Sequence, residues 1–169
     1  MEGLVLRPIG VIHSPHREPD RTPIQPMCAG GSAGRVEVFP QYAEGLDDVE
    51  GFSHLYLIFW FHRAAAWEAG SAKAPLKVVP SLDDVPRGLF ATRSPRRPNP
   101  IGLSIVRLVA RRGAELLVED LDVLDGTPLL DIKPYVEGFD LRVGTRGGWT
   151  EHVSNETVRA RGTRRPETR

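Results

Sequence analysis

Hydrophobic residues along this chain come in short runs separated by proline and glycine, and none of the runs holds three clean turns of helical periodicity. The pattern predicts β structure. Strands are expected at residues 5–13, 35–39, 53–61, 76–79, 88–93, 103–109, 116–123 and 129–133, with a small helix at 41–48. Val36 and Val38 alternate with polar neighbours, as on a strand with one buried face. The 53–61 run is apolar at nearly every position, which predicts a central strand covered on both sides. With 15 prolines and 17 glycines in the joints, many short strands are expected to hide their edges by closing. The fold class expected is all-β: a single-domain β-barrel with few short helices, occupying residues 1–141, and an Arg-rich extension over 142–169.

Length and composition narrow the class further. A chain of 169 residues, 40% apolar and 26% charged, suits one globular domain better than a disordered segment. The longest apolar run, 55–61, is far shorter than the roughly 20 residues of a membrane span. No basic segment followed by an apolar stretch opens the chain, so a cytoplasmic protein without membrane association is expected. One cysteine, Cys28, leaves no disulfide and no thiol cluster for structural zinc, and no metal is expected.

Lysine plus arginine and aspartate plus glutamate both total 22, so net charge points to no ligand. Its distribution is more informative. Residues 142–169 hold seven arginines against three glutamates, a surplus of four, on a body that is net negative by the same amount. This tail reads either as a phosphate-seeking arm or as a solvated terminus.

Three segments carry polar residues that folding alone does not require. In Thr22-Pro23-Ile24-Gln25-Pro26, two prolines stiffen a loop around Gln25. Phe61-His62-Arg63 delivers an imidazole and a guanidinium to the end of the most hydrophobic strand. Between residues 90 and 104 three arginines, Arg93, Arg96 and Arg97, are interleaved with prolines and followed by Asn99, the composition of a preorganised site for an anion or nucleotide. A fourth stretch places Asp125-Gly126 in a turn and returns with Asp131, Lys133 and Tyr135; alone it reads as a hairpin.

At these residues the chain resembles the TsaA-like family. The likeness rests on Pro8-Ile9-Gly10-Val11-Ile12-His13-Ser14-Pro15, Gly51-Phe52-Ser53-His54-Leu55, Ala91-Thr92-Arg93-Ser94 through Arg97-Pro98-Asn99-Pro100-Ile101-Gly102-Leu103-Ser104, and Leu124-Asp125-Gly126-Thr127-Pro128 with Asp131-Ile132-Lys133-Pro134-Tyr135. The resemblance implies a barrel methyltransferase, not a Rossmann fold, that uses S-adenosylmethionine as donor. It also implies a tRNA substrate methylated on N6 of N6-threonylcarbamoyladenosine at position 37, and a homodimer with the donor near the subunit junction. Carried over by position, donor contacts fall on Pro23, Ile24, Gln25, His62, Arg63, Arg93, Leu103, Asp125, Gly126, Thr127 and Pro128. Many members carry Arg where this chain has Ile24, and bacterial members continue into a further small domain where this chain offers only its tail.

Methyl transfer to an amide-like nitrogen is helped by a base that removes its proton, and His62, Asp125 and Asp131 are the candidates. Arg96, Arg97, Asn99, Lys133 and Tyr135 are candidates for the substrate side. The Arg-rich tail is expected to serve the acceptor and not the donor. A non-catalytic barrel that binds S-adenosylmethionine or RNA, and a methyltransferase for a small metabolite, remain alternatives.

Overall fold

A computed structural model describes residues 5–64 and 76–164. Six antiparallel strands close into a barrel: β1 (Gly10–His13), β2 (Gly34–Val38), β3 (His54–Trp60), β6 (Ile101–Arg112), β7 (Glu115–Glu119) and β8 (Thr127–Pro134). Around the barrel they run β1-β2-β7-β6-β3-β8, and β8 pairs back onto β1 through Ile12 and Thr127. Outside it, β4 (Lys77–Val78) and β5 (Arg87–Gly88) form a small two-stranded ribbon. Two short helices, α1 (Glu137–Asp140) and α2 (Asn155–Arg161), follow the last strand.

The barrel is filled by the inward residues of alternating strands. Ile12, Val36, Val38, Leu55, Leu57, Phe59, Val106, Leu116, Val118 and Leu129 are buried together, with Leu46, Leu121 and Val123 plugging the ends. Closure needs curvature, and two register shifts supply it. One lies between Ile58 and Phe59 against β8, the other between Leu108 and Ala110 against β7. Inside the wall Gly102 lies opposite Phe59, whose ring covers the glycine backbone and stacks edge-on against Phe61 at 5.2 Å.

Several expected elements come out differently. The 53–61 run is central in the sheet, between β6 and β8, but only one of its faces is buried by this chain. Leu55, Leu57 and Phe59 point inward while Tyr56, Ile58 and Trp60 stay partly exposed. Residues 88–93 are not a strand; β5 ends at Gly88 and Leu89–Ala91 makes a single 3-10 turn. The 76–79 strand shrinks to two residues, the 5–13 strand begins only at Gly10, and the 116–123 strand stops at Glu119. β6 is longer than its apolar run because its partners extend it to Arg112. The helix at 41–48 is a 3-10 helix, Pro40–Leu46, opened by proline at its first position.

The extension after residue 141 folds back onto the barrel. Trp149 donates its indole N–H to the Ala91 carbonyl at 2.7 Å with the Arg87 guanidinium over its ring, and α2 carries Arg161 onto both carboxylate oxygens of Asp84 at 2.9 Å. Beyond α2 the chain pairs with the proline-stiffened loop, Thr163 against Pro23.

A Cβ added at Gly102 collides with the Phe59 ring, which Phe61 prevents from tilting away. Gly102→Ala is therefore expected to lower unfolding free energy by about 1–3 kcal/mol in urea denaturation. Gly45→Ala, at a position with open space, should leave the midpoint unmoved.

Candidate functional site

Because every barrel strand is antiparallel to its neighbours, the connections divide between the two ends. Residues 14–33, 61–64, 76–100 and 120–126 all lie at the end where β3 finishes and β8 begins. There they enclose a cavity of about 290 Å³ lined by Phe61, His62 and Arg63, by Pro95 and Arg96, by Val123, Leu124 and Thr127, by Pro19 and Asp20, and by Arg164 from the folded-back extension.

His62 sits at the centre of the polar contacts. Its Nδ1 lies 3.3 Å from the Thr127 hydroxyl, and that hydroxyl donates its single proton to the Leu124 carbonyl at 2.6 Å. Thr127 can then only accept from His62, which places the ring proton on Nδ1 and the lone pair on Nε2. Burial, with the Arg63 guanidinium beside it, pushes the imidazole below its ordinary value, so the ring is neutral at pH 7.

Asp125 has a different task. One carboxylate oxygen accepts the Ser14 backbone N–H at 3.0 Å and the other pairs with Arg17, while the Asp125 N–H donates to the His16 carbonyl at 2.7 Å. Gly126, at φ +74°, completes the turn and donates to the Ile12 carbonyl. Asp125 thus ties the loop after β1 to the start of β8 and faces a neighbouring open groove with His13, Ser14 and Arg35, not the His62 cavity. Pro128 follows within β8, opposite Val11.

Asp131 does not join the cavity either. It lies on the outer face of β8 opposite Ile58, paired with Lys133 at 2.8 Å, and Tyr135 packs its ring against His54 and Tyr56. Leu103 also faces outward, on β6 opposite Ile58 and 59% exposed. Ile58, Trp60, Ile101, Leu103 and Ile105 form one apolar outer patch across two paired strands.

The arginine-rich segment splits by role. Arg93 donates to the Gln25 side-chain oxygen, joining two of the singled-out loops, and Gln25 donates in turn to the Ile24 carbonyl at 2.6 Å. Arg97 is spent inside its own loop, donating to the Thr92 carbonyl at 2.9 Å beneath the Phe90 ring. Of the three, Arg96 reaches the cavity. Asn99 contributes its backbone carbonyl, which accepts the Ile101 N–H at 2.7 Å.

Two residues escaped the sequence reading. Asp122 is 5% exposed and its carboxylate accepts the Ser104 hydroxyl at 2.6 Å; burial raises its affinity for a proton, while Ser104 and the nearby Arg164 charge oppose that rise. Arg164 stacks over the Phe61 ring at 5.3 Å on the cavity wall. This part of the Arg-rich extension borders the same cavity as His62, because the pairing of Thr163 with Pro23 brings it there. An arginine past the last barrel strand carries no local signal of such a return.

A family model described as the tRNA-methyltransferase O N-terminal domain matches residues 11–141. The chain belongs to this family. A probable S-adenosyl-L-methionine-binding protein of Pyrococcus abyssi is 52% identical over 155 residues, 92% of this chain and 80% of that protein. A tRNA (adenine(37)-N6)-methyltransferase of Mus musculus is 35% identical over 141 residues, 81% of this chain but 32% of the mouse protein. A crystal structure of TrmO from P. aeruginosa superposes with a TM-score of 0.71 at 37% identity, covering 89% of this chain and 63% of that one. The chain therefore spans under two thirds of the solved TrmO and about a third of the mouse enzyme.

The depressed His62 value has a sign that can be checked. The folded state holds its imidazole neutral below the unfolded value of 6.5, so its contribution to stability is complete above pH 6.5 and is lost as pH falls through the folded value. In a two-dimensional NMR titration the His62 resonances should move at a midpoint below 6.5. Wild type should lose its stability margin over His62→Gln across the same interval.

Proposed function

We propose that this chain transfers the methyl group of S-adenosylmethionine to N6 of N6-threonylcarbamoyladenosine at position 37 of tRNA. One observation carries the reading: a neutral imidazole with a defined tautomer stands on the wall of a cavity that also has an aromatic face and guanidinium groups. Membership of the tRNA-methyltransferase O family and the activity named for the mouse relative support it.

The donor, when bound, supplies a methyl carbon already activated by a positive sulfur. The residues of this chain must then align the acceptor nitrogen with it and take up a proton. N6 is a weak nucleophile, its lone pair shared with the purine and the carbamoyl carbonyl. His62 Nε2 accepts the N6 proton as the N–C bond forms and the C–S bond breaks, the electron pair staying on sulfur. Thr127 holds the ring in the tautomer that permits this. Asp125 positions the turn Asp125-Gly126-Thr127-Pro128, and the Gln25–Arg93 link fixes the Pro23-Ile24-Gln25 loop, which pairs with the strap that carries Arg164 to the cavity. Arg63 and Arg96 offer their guanidinium groups to the anionic acceptor.

The functional unit proposed is a homodimer joined through the apolar outer face of β3 and β6. A cavity of about 290 Å³ is at the small end of ligand sites, roughly 300–1,000 Å³, and a second wall from a partner would complete it. Leu103, a donor contact by resemblance but outside this cavity, is placed on that face to serve the partner's site. Among the described residues no helix is long and apolar enough to cross a membrane. A tRNA-modifying activity supports a cytoplasmic location.

Incubation with radiolabelled S-adenosylmethionine and tRNA bearing threonylcarbamoyladenosine should give labelled N6-methyl product by nucleoside mass spectrometry. Donor binding without product would replace the enzyme with a sensor. His62→Gln should lower kcat by roughly a hundredfold to ten-thousandfold, and the wild-type rate should fall on the acid side of a midpoint below 6.5 as the imidazole charges.

Ile58→Glu with Leu103→Glu should convert the dimer to a monomer in sedimentation at micromolar concentration, with thermal stability retained and donor affinity reduced. A wild-type monomer with full donor affinity would remove the second subunit from the site.

A further inference from the structure

Arg164 presents a physical problem that the methyl-transfer reading leaves unsolved. Its guanidinium is half-buried on the cavity wall, over the Phe61 ring, and among the described residues it makes no side-chain hydrogen bond or salt bridge. Arginine keeps its charge under all ordinary conditions, and a half-buried guanidinium whose nitrogens face the cavity is only partly solvated and has a binding capacity left over. Asp122, the acid whose charge acts on Arg164, accepts the Ser104 hydroxyl and reaches Arg164 only through space. Yet the position is firmly held. The Arg164 backbone N–H donates to the Thr22 carbonyl at 3.0 Å, the Ile24 N–H donates to the Gly162 carbonyl at 2.9 Å, and α2 is clamped by the bidentate Arg161–Asp84 pair. A fork fixed on one side by an aromatic ring and open on the other to a cavity is preorganised for a planar anion.

We infer that Arg164, carried back to the barrel by the strand-like strap after α2, is the cavity's carboxylate anchor. The inference rests on the methyl-transfer reading. Under it two ligands bring a carboxylate to this cavity: the methionyl end of the donor and the threonyl group of the acceptor. Either one satisfies the fork and neutralises the charge. The strap therefore belongs to the site, and the matched family segment, which ends at residue 141, does not contain every residue the cavity uses.

The test compares ligands with and without the group that carries the carboxylate. Isothermal titration of the full chain with S-adenosylmethionine and with 5′-methylthioadenosine, which lacks the amino-acid end, reads the donor arm. Titration with an anticodon stem-loop bearing threonylcarbamoyladenosine, and with the same RNA bearing unmodified adenosine, reads the acceptor arm. Arg164→Met keeps an apolar stem over Phe61 and removes the fork. It should weaken one carboxylate-bearing ligand roughly tenfold to a hundredfold and leave its carboxylate-free counterpart within about twofold, with Arg164→Lys in between. Selective loss for S-adenosylmethionine identifies the donor's carboxylate, and selective loss for the modified stem-loop identifies the acceptor's. Equal losses within both pairs, or no loss in either, overturn the inference, since a strap that merely props the barrel cannot tell the ligands apart. Wild-type protein that binds neither S-adenosylmethionine nor 5′-methylthioadenosine overturns the methyl-transfer reading itself, and the inference with it.

Discussion

Closure of six antiparallel strands is the constraint from which the rest of this molecule follows. Once β8 pairs with both β3 and β1, every edge of the barrel strands is paired, and the long connections have one end of the barrel on which to gather. Backbone closure makes that end rigid where it matters. His62 leaves β3 within two residues of a paired position, and Thr127 is itself paired with Ile12, so the bond between their side chains spans two anchored strands. The loops need not be regular, because each is pinned at both ends by the sheet. Proline-rich connections suit that role, since they limit the conformations left to a segment without backbone partners.

A rigid rim also explains which polar groups have become structural. Asp125 accepts from a backbone N–H and from Arg17, Arg97 donates to carbonyls of its own loop, and Arg93 is joined to Gln25. Each of these groups looks chemically available in the sequence, but loops that carry no ladder must satisfy their backbone groups with side chains. What stays open toward the cavity is a smaller set, and His62 is its one imidazole. The division follows from hydrogen-bond demand and not from residue type.

The barrel was largely legible because its signal is local. Period-two alternation in residues 35–39 and the apolar run ending at Phe61 each report a strand without reference to partners, and six of the eight expected strands take part in the barrel. The boundaries were not legible, since pairing sets them. β6 reaches Arg112 because β7 returns along it, and 88–93 fails as a strand because nothing pairs with it beyond the two-residue ribbon. The apolar outer face of β3 misled in an instructive way. A run that is hydrophobic on both faces was read as covered on both, whereas a single chain covers one, leaving Ile58 and Trp60 beside Leu103. The motif residues drew attention to His62, Thr127 and the loop at Gln25. Asp122 and Arg164 stayed hidden, because their meaning depends on contacts between distant parts of the chain.

Those two hidden residues show how the rim tolerates buried charge. Asp122 lies between β7 and β8, where desolvation favours its neutral form, and Ser104 on the neighbouring β6 supplies the hydrogen bond that burial would otherwise withhold. Arg164, on the cavity wall, opposes the same desolvation through space without reaching bonding distance. A direct salt bridge would consume the guanidinium and seal the space between the strap and the barrel. Separation leaves the guanidinium without a bonded partner on the side facing the cavity, at some expense to stability. An arrangement of that kind stores its missing interaction for whatever enters. The strap can then stabilise a ligand complex more than it stabilises the empty barrel, which is the condition under which binding, and not folding, selects the residue.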